Sequence, residues 1–176
     1  MFERLIDLIL QLGSRALPFE VIRAYQTGVV LRFGVCHRVI EPGFHWKWPM
    51  MEEVIEVEHV LTTLRLPPQT LTTLDDKNVV ISAIIKYQIV NAIPYVSKIW
   101  DQHDVLADVT MGAIRQVVSR LEYSRLLTEA PEKEVIDLVR NEVNQFGFKV
   151  HRITFTDLGK VKSLRLLQQA PKDLDN

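Results

Sequence analysis

Two adjacent carboxylates, Asp75 and Asp76, five histidines and a single cysteine are the side chains of this 176-residue chain best suited to acid–base, metal or nucleophilic chemistry. None has the company that such chemistry requires. Paired carboxylates work as acid and base when a substrate lies between them. Asp75-Asp76-Lys77-Asn78 reads instead as a solvated turn between two β-rich segments. His37, His45, His59, His103 and His151 do not pair at metal-ligand spacing on one helix, and Cys36 has no second thiol beside it. His103-Asp104 falls at a helix start and belongs to a cap region. Cys36 sits in Val35-Cys36-His37-Arg38, where cationic neighbours can lower a thiol pKa. A half-buried, inert strand cysteine is one reading and a reactive or acylated thiol the other. No Gly-x-Ser-x-Gly occurs, and Gly112-Ala113 lies inside a helical stripe, not in a phosphate-cradling loop. Nothing supplies a nucleophile, a base and an orienting group together, so the expectation is a non-catalytic protein with no metal and no cofactor.

The chemistry that remains is that of apolar surfaces. Phe44, Trp46, Trp48 and Met50 alternate with His45, Lys47 and Pro49, so the four large side chains share one face of an extended segment. Core packing is one reading, because aromatic residues dominate cores. Contact with a membrane is the other, because tryptophan concentrates at the membrane–water interface. A second apolar face lies at the start of the chain. On a helical wheel Met1, Phe2, Leu5, Ile6, Leu8, Ile9, Leu10 and Leu12 fill one side, while Glu3, Arg4, Asp7, Gln11, Ser14 and Arg15 fill the other. Pro18 marks the end of this helix. It can lie in the plane of a bilayer or dock on the domain. The acidic Glu3 and Asp7 argue against a signal peptide. Arg4, Arg15 and Arg23 are offset by Glu3, Asp7 and Glu20, so binding would rest on apolar burial more than on anionic lipid.

Both faces need elements to hold them. The chain is 47% hydrophobic and 24% charged, enough apolar content for a sizeable core. Its net charge of −1 and lack of a Lys/Arg cluster exclude nucleic acid as the expected partner. One cysteine excludes a disulfide-stapled domain. No run approaches the roughly 18–20 apolar residues of a spanning helix. Strand signals fill Phe19 to Ile89. Val21–Gln26 and Val29–Phe33 are β-rich runs, with Thr27-Gly28 expected to form a tight hairpin between them. A turn is expected at Glu41-Pro42-Gly43, and Leu66-Pro67-Pro68 should interrupt any ladder and sit at an edge or a bend. The longest strand, Val79–Val90, puts Val79, Ile81, Ala83, Ile85, Tyr87 and Ile89 on one face. Helices are expected over Pro94–Trp100, Gln102–Leu121 and Pro131–Phe146, with Gly147 as a left-handed stop. Phe148–Leu158 returns as a strand with simple alternation. The order is α+β: a strand-rich N-terminal subdomain, then helices and a returning strand, preceded by the amphipathic helix. The expected divisions are a membrane-surface helix at 1–18, a domain at 19–158 and a short polar tail at 159–176.

The ordered set Thr27-Gly28-Val29-Val30-Leu31-Arg32-Phe33-Gly34, Ile40-Glu41-Pro42-Gly43-Phe44-His45, Trp48-Pro49, Leu64-Arg65-Leu66-Pro67-Pro68-Gln69, Asp75-Asp76-Lys77-Asn78-Val79, Tyr123-Ser124-Arg125-Leu126-Leu127 and Phe146-Gly147-Phe148 resembles the stomatin/prohibitin/flotillin domain, also called SPFH or Band 7. The resemblance covers Phe19 to Leu158. It implies a membrane-associated scaffold that assembles side by side and can hold membrane proteases or channels. It also implies that the first subdomain sits against the bilayer. The segment 159–176 carries no sustained heptads, so the chain resembles a short form lacking the long C-terminal helix of the family. The implied partners are membrane lipid, further copies of the chain or a longer SPFH relative, and a membrane protease. The competing expectation is a regulatory subunit that binds one membrane protease or channel without forming a ring.

Overall fold

The computed structural model describes residues 18–128 and 130–160. The expected N-terminal helix, with its face of Met1, Phe2, Leu5, Ile6, Leu8, Ile9, Leu10 and Leu12, lies outside the described residues, as does 161–176 of the tail. What is described is α+β, with nine strands, four α-helices and one 3-10 turn.

Five strands build the first lobe: β1 (Phe19–Ile22), β2 (Gln26–Arg32), β3 (Val35–Ile40), β4 (Gly43–Trp46) and β5 (Glu52–Glu58). β2 is the centre of a three-stranded antiparallel sheet in the order β3-β2-β5. β1 pairs with β4 in a separate two-stranded ribbon. The expected hairpin at Thr27-Gly28 is therefore not there: both residues lie inside β2, and the chain turns earlier, with Gln26 N–H donating to Arg23 C=O at 3.0 Å. Gly28 serves close packing instead. A Cβ on it would stand 2.6 Å from Ile40 Cγ1 and 3.0 Å from Ile22 Cδ1. The small cluster of Ile22, Val30 and Ile40, with Val54 against it, closes over this glycine and joins ribbon to sheet.

The second lobe is organised by β8 (Asn78–Ile89), flanked by β6 (Thr62–Arg65) and β7 (Gln69–Thr72) on one side and by β9 (Phe148–Lys160) on the other. The period-two pattern of β8 holds: Val79, Ile81, Ala83, Ile85, Tyr87 and Ile89 are all buried. Leu66-Pro67-Pro68 separates β6 from β7, as a segment poor in ladder donors must. The alternation expected for β9 fails at two places. The register skips His151 and Thr156, and each extra residue flips the face, so that Phe148, Val150, Ile153, Phe155 and Leu158 follow the buried side of β8 while Arg152 turns outward.

The helices are α1 (Ala92–Lys98), α2 (Gln102–Val118), α3 (Tyr123–Leu126) and α4 (Ala130–Val143). Asn91 caps α1 through Ile93 N–H, and Asp101 caps α2 through Asp104 N–H at 3.3 Å. The cap is thus Asp101, with His103 and Asp104 in the first turn. Leu106, Ala113, Ile114, Val117 and Val118 of α2 and Val135, Val139 and Val143 of α4 join the β8–β9 face in one core. Side chains of α4 collect the backbone groups freed at the two bulges. Arg140 Nε donates to Val150 C=O at 2.9 Å, and Glu132 accepts from Phe155 N–H at 2.8 Å. A 3-10 turn, Asn144–Phe146, then ends at Gly147 with φ +88°, the left-handed stop expected from sequence. α3 was not legible in advance.

Candidate membrane-binding surface

Asp75 and Cys36 have structural roles among the described residues. Asp75 accepts from Thr73 Oγ1 at 2.5 Å and Tyr123 N–H at 3.1 Å, and pairs with Lys77 at 2.6 Å. Lys77, then Thr73, and the Tyr123 N–H hold its carboxyl well below the usual carboxylate range. It is an ionised staple between the β7–β8 turn and α3, not a proton donor. Cys36 is a partly buried strand residue packed against the main core. Among the described residues no three His, Cys, Asp or Glu side chains gather as a metal-holding group.

The β1–β4 ribbon is amphipathic in the unusual sense. Phe19 faces Trp46 and Val21 faces Phe44 across the ribbon, and all four side chains point to solvent. Phe44 is 67% exposed, Trp46 59% and Trp48 57%, so the core-packing reading of this face does not hold. The Phe19 and Phe44 rings stack at 5.5 Å. The inward side carries Glu20, His45 and Lys47 beside Ile22, with Lys47 and Glu20 forming an ion pair. Polar groups face the protein and apolar groups face out, the reverse of a solvated edge ribbon.

The apolar face continues past β4. Trp48 is followed by Met50, which is fully exposed at φ +69°. Phe33 N–H donates to Met51 C=O at 3.1 Å, which brings the exposed Phe33 and Val35 of the β2–β3 hairpin to the same end. Sequence reasoning missed Phe19, Val21, Phe33 and Val35 because they lie in or beside ordinary β-rich runs, where nothing local separates an outward from an inward face. Only the pairing of β1 with β4 and the tip contact unite them with the tryptophans.

A buried carboxylate fixes this end. The Glu52 side chain is wholly buried; it accepts from Arg32 Nη2 at 2.6 Å, Arg32 Nε at 3.2 Å and Trp48 N–H at 3.0 Å, and Arg38 lies 3.6 Å away. The Trp48 N–H foremost, with Arg32 and Arg38, keeps its carboxyl below the ordinary glutamate value against the opposing effect of burial. Arg38 also donates to Trp46 C=O at 3.0 Å. Trp48 C=O accepts from Glu52 N–H at 3.0 Å, and Lys47 N–H donates to Pro18 C=O at 2.9 Å. The backbone that presents the tryptophans is thus bonded from within the protein.

The SPFH domain / Band 7 family model matches residues 20–165. The chain belongs to this family. The chain is 23% identical over 148 residues to an uncharacterised protein of Archaeoglobus fulgidus, covering 83% of this chain and 59% of that one. It is 25% identical over 154 residues to an uncharacterised protein of Methanothermobacter thermautotrophicus, covering 85% of this chain and 48% of the relative. It is 31% identical over 112 residues to the modulator of FtsH protease HflK of Escherichia coli, covering 63% of this chain and 26% of the relative. The chain therefore spans about half the length of the first two relatives. No helix among the described residues is long and apolar enough to cross a membrane.

Proposed function

We propose that this Band 7 protein is a non-catalytic scaffold that lies on a bilayer through the face of Phe44, Trp46 and Trp48 and assembles there with copies of itself or with a longer SPFH relative. The observation that carries the reading is the inverted ribbon, with aromatic residues outward and an ion pair inward. A further feature favours lipid over a protein partner. Polar backbone atoms at the tip are bonded internally, as immersion in a medium without hydrogen-bonding groups demands. Pro18 C=O accepts from Lys47 N–H, which ties the first described residue to the segment that carries the tryptophans. Membership of the family and the HflK relative support a regulatory or scaffolding role at a membrane in general terms. The outer faces of α2 and α4 are the proposed lateral contacts.

The test is flotation with phosphatidylcholine liposomes of the intact chain, of a form lacking residues 1–17, and of a Trp46→Ser/Trp48→Ser variant, with light scattering after detergent extraction. The reading expects the intact chain to float and to extract as a large particle, and the tryptophan variant to float less. Failure of every form to float refutes it. A second reading, a regulatory subunit of one membrane protease that forms no ring, is favoured by the relative whose name is that of a protease modulator. A stoichiometric complex with such a protease, in place of a large homogeneous particle, would select it.

A further inference from the structure

We infer that the tryptophan face takes zwitterionic bilayers as readily as anionic ones, because the cations at its edge, Arg32, Arg38 and Lys47, are held by the lobe's own carboxylates Glu52 and Glu20. This rests on the membrane reading above and specifies its lipid class. The cations closest to the face are Arg32, Arg38 and Lys47. Arg32 and Arg38 converge on the buried Glu52, and Lys47 is paired with Glu20. Arg38 is further committed to Trp46 C=O. Arg23, the remaining cation of residues 19–58, donates to Tyr25 Oη at 2.9 Å and lies within the influence of Glu56 and Glu58. Across residues 19–58 four cations stand against six carboxylates, so the lobe has no positive field to draw it to acidic headgroups. A surface that selected anionic lipid would leave its Lys and Arg unpaired towards the headgroups, where each adds to attraction. Here Arg32, Arg38 and Lys47 are each held by a carboxylate of the lobe, and Arg38 also bonds the backbone of the face at Trp46 C=O. Apolar depth is left as the source of affinity, and that component is insensitive to salt screening.

The experiment compares flotation of the intact chain with phosphatidylcholine vesicles and with phosphatidylcholine vesicles containing phosphatidylserine, at low and high salt. Wild type is expected to partition between the two within about threefold, with little change on adding salt. Glu20→Gln, at a partly exposed site, frees Lys47 and is expected to create a preference for the serine lipid of about fivefold, the equivalent of about 1 kcal/mol per cation near an anionic surface. That preference should vanish at high salt. Glu52→Gln, which frees two arginines, is compared only if its circular dichroism matches wild type; its preference should exceed that of Glu20→Gln. A wild-type preference for phosphatidylserine above about tenfold that salt abolishes overturns the inference while leaving the membrane reading standing. An unchanged Glu20→Gln also counts against it, since the pair would then not be what neutralises the edge. Binding of wild type to neither vesicle defeats the membrane reading itself, and this inference with it.

Discussion

Removing the two tryptophans tests the face most directly, and the size of the effect follows from exposure. A tryptophan side chain presents roughly 200 Å². With Trp46 59% and Trp48 57% exposed, about 230 Å² of the pair is open to water in the free protein, taking the side-chain area above. At about 25 cal/mol per Å², full transfer of that area to an apolar medium is worth about 6 kcal/mol. An interfacial residue keeps part of its surface at headgroup level, so half of that, about 3 kcal/mol, is the working figure. Trp46→Ser/Trp48→Ser should therefore weaken partition to phosphatidylcholine vesicles about a hundredfold. Neither side chain belongs to a buried cluster of the described residues, so the melting temperature should stay within a few degrees of wild type. The assay is a partition isotherm over lipid concentration, run beside a thermal melt. A variant that melts like wild type and binds within threefold of it would refute the assignment of this face and shift the burden to residues 1–17. A variant that melts far lower would show that the tryptophans pack internally, contrary to their exposure.

Other consequences concern the framework. Glu52→Gln should cost about 1–2 kcal/mol in urea denaturation at neutral pH, less than a fully buried pair because its arginine partners reach solvent. The folded carboxyl lies below its unfolded value, so its stabilisation is full above about pH 4.3 and is lost as the pH falls through the folded value. The wild type should therefore lose more stability than Glu52→Gln between neutral and acid pH, and parallel pH profiles would contradict the role given to Glu52. Gly28→Ala should destabilise by about 1–3 kcal/mol, since its Cβ would meet Ile40 at 2.6 Å; a more stable variant would show that the isoleucine yields. Gly147→Ala should be worse, above about 3 kcal/mol, because its Cβ would stand 2.1 Å from Asn91 C=O in a left-handed conformation. A Gly147→Ala variant melting within a few degrees of wild type would refute that contact.

The parts of the fold that were legible are those where one local rule acts alone. The alternation of β8 sets a buried face along all its length because β9 pairs with it from Val79 to Ile89, while β7 and β6 pair with Asn78–Ile81 and Ile84–Tyr87 on its other edge. Gly147 was legible because few residues other than glycine accept its backbone angles. Thr27-Gly28 was misread because glycine answers two different needs, positive φ in a turn and a missing Cβ at a close approach, and the sequence does not say which. The bulges of β9 were invisible for a related reason. His151 and Thr156 have ordinary strand side chains, and the skips depend on Arg140 and Glu132 of α4 receiving the freed backbone groups.

The face of Phe44, Trp46 and Trp48 shows where periodicity stops being informative. Alternation states that side chains share a face; it is silent on what lies over that face. A core strand and a membrane-facing strand have the same period and the same residue types. What separates them is the fate of the opposite side. In a core strand of an antiparallel sheet the polar residues between the apolar ones meet solvent. In this ribbon they meet the protein: Lys47 pairs with Glu20, and His45 Nε2 lies 2.7 Å from Glu41 C=O. Once the polar side is satisfied inward, the apolar side is left exposed among the described residues. The discriminating signal is thus not in the aromatic residues themselves but in the charges between them, Glu20 and Lys47, 27 positions apart in sequence and joined only by the pairing of β1 with β4.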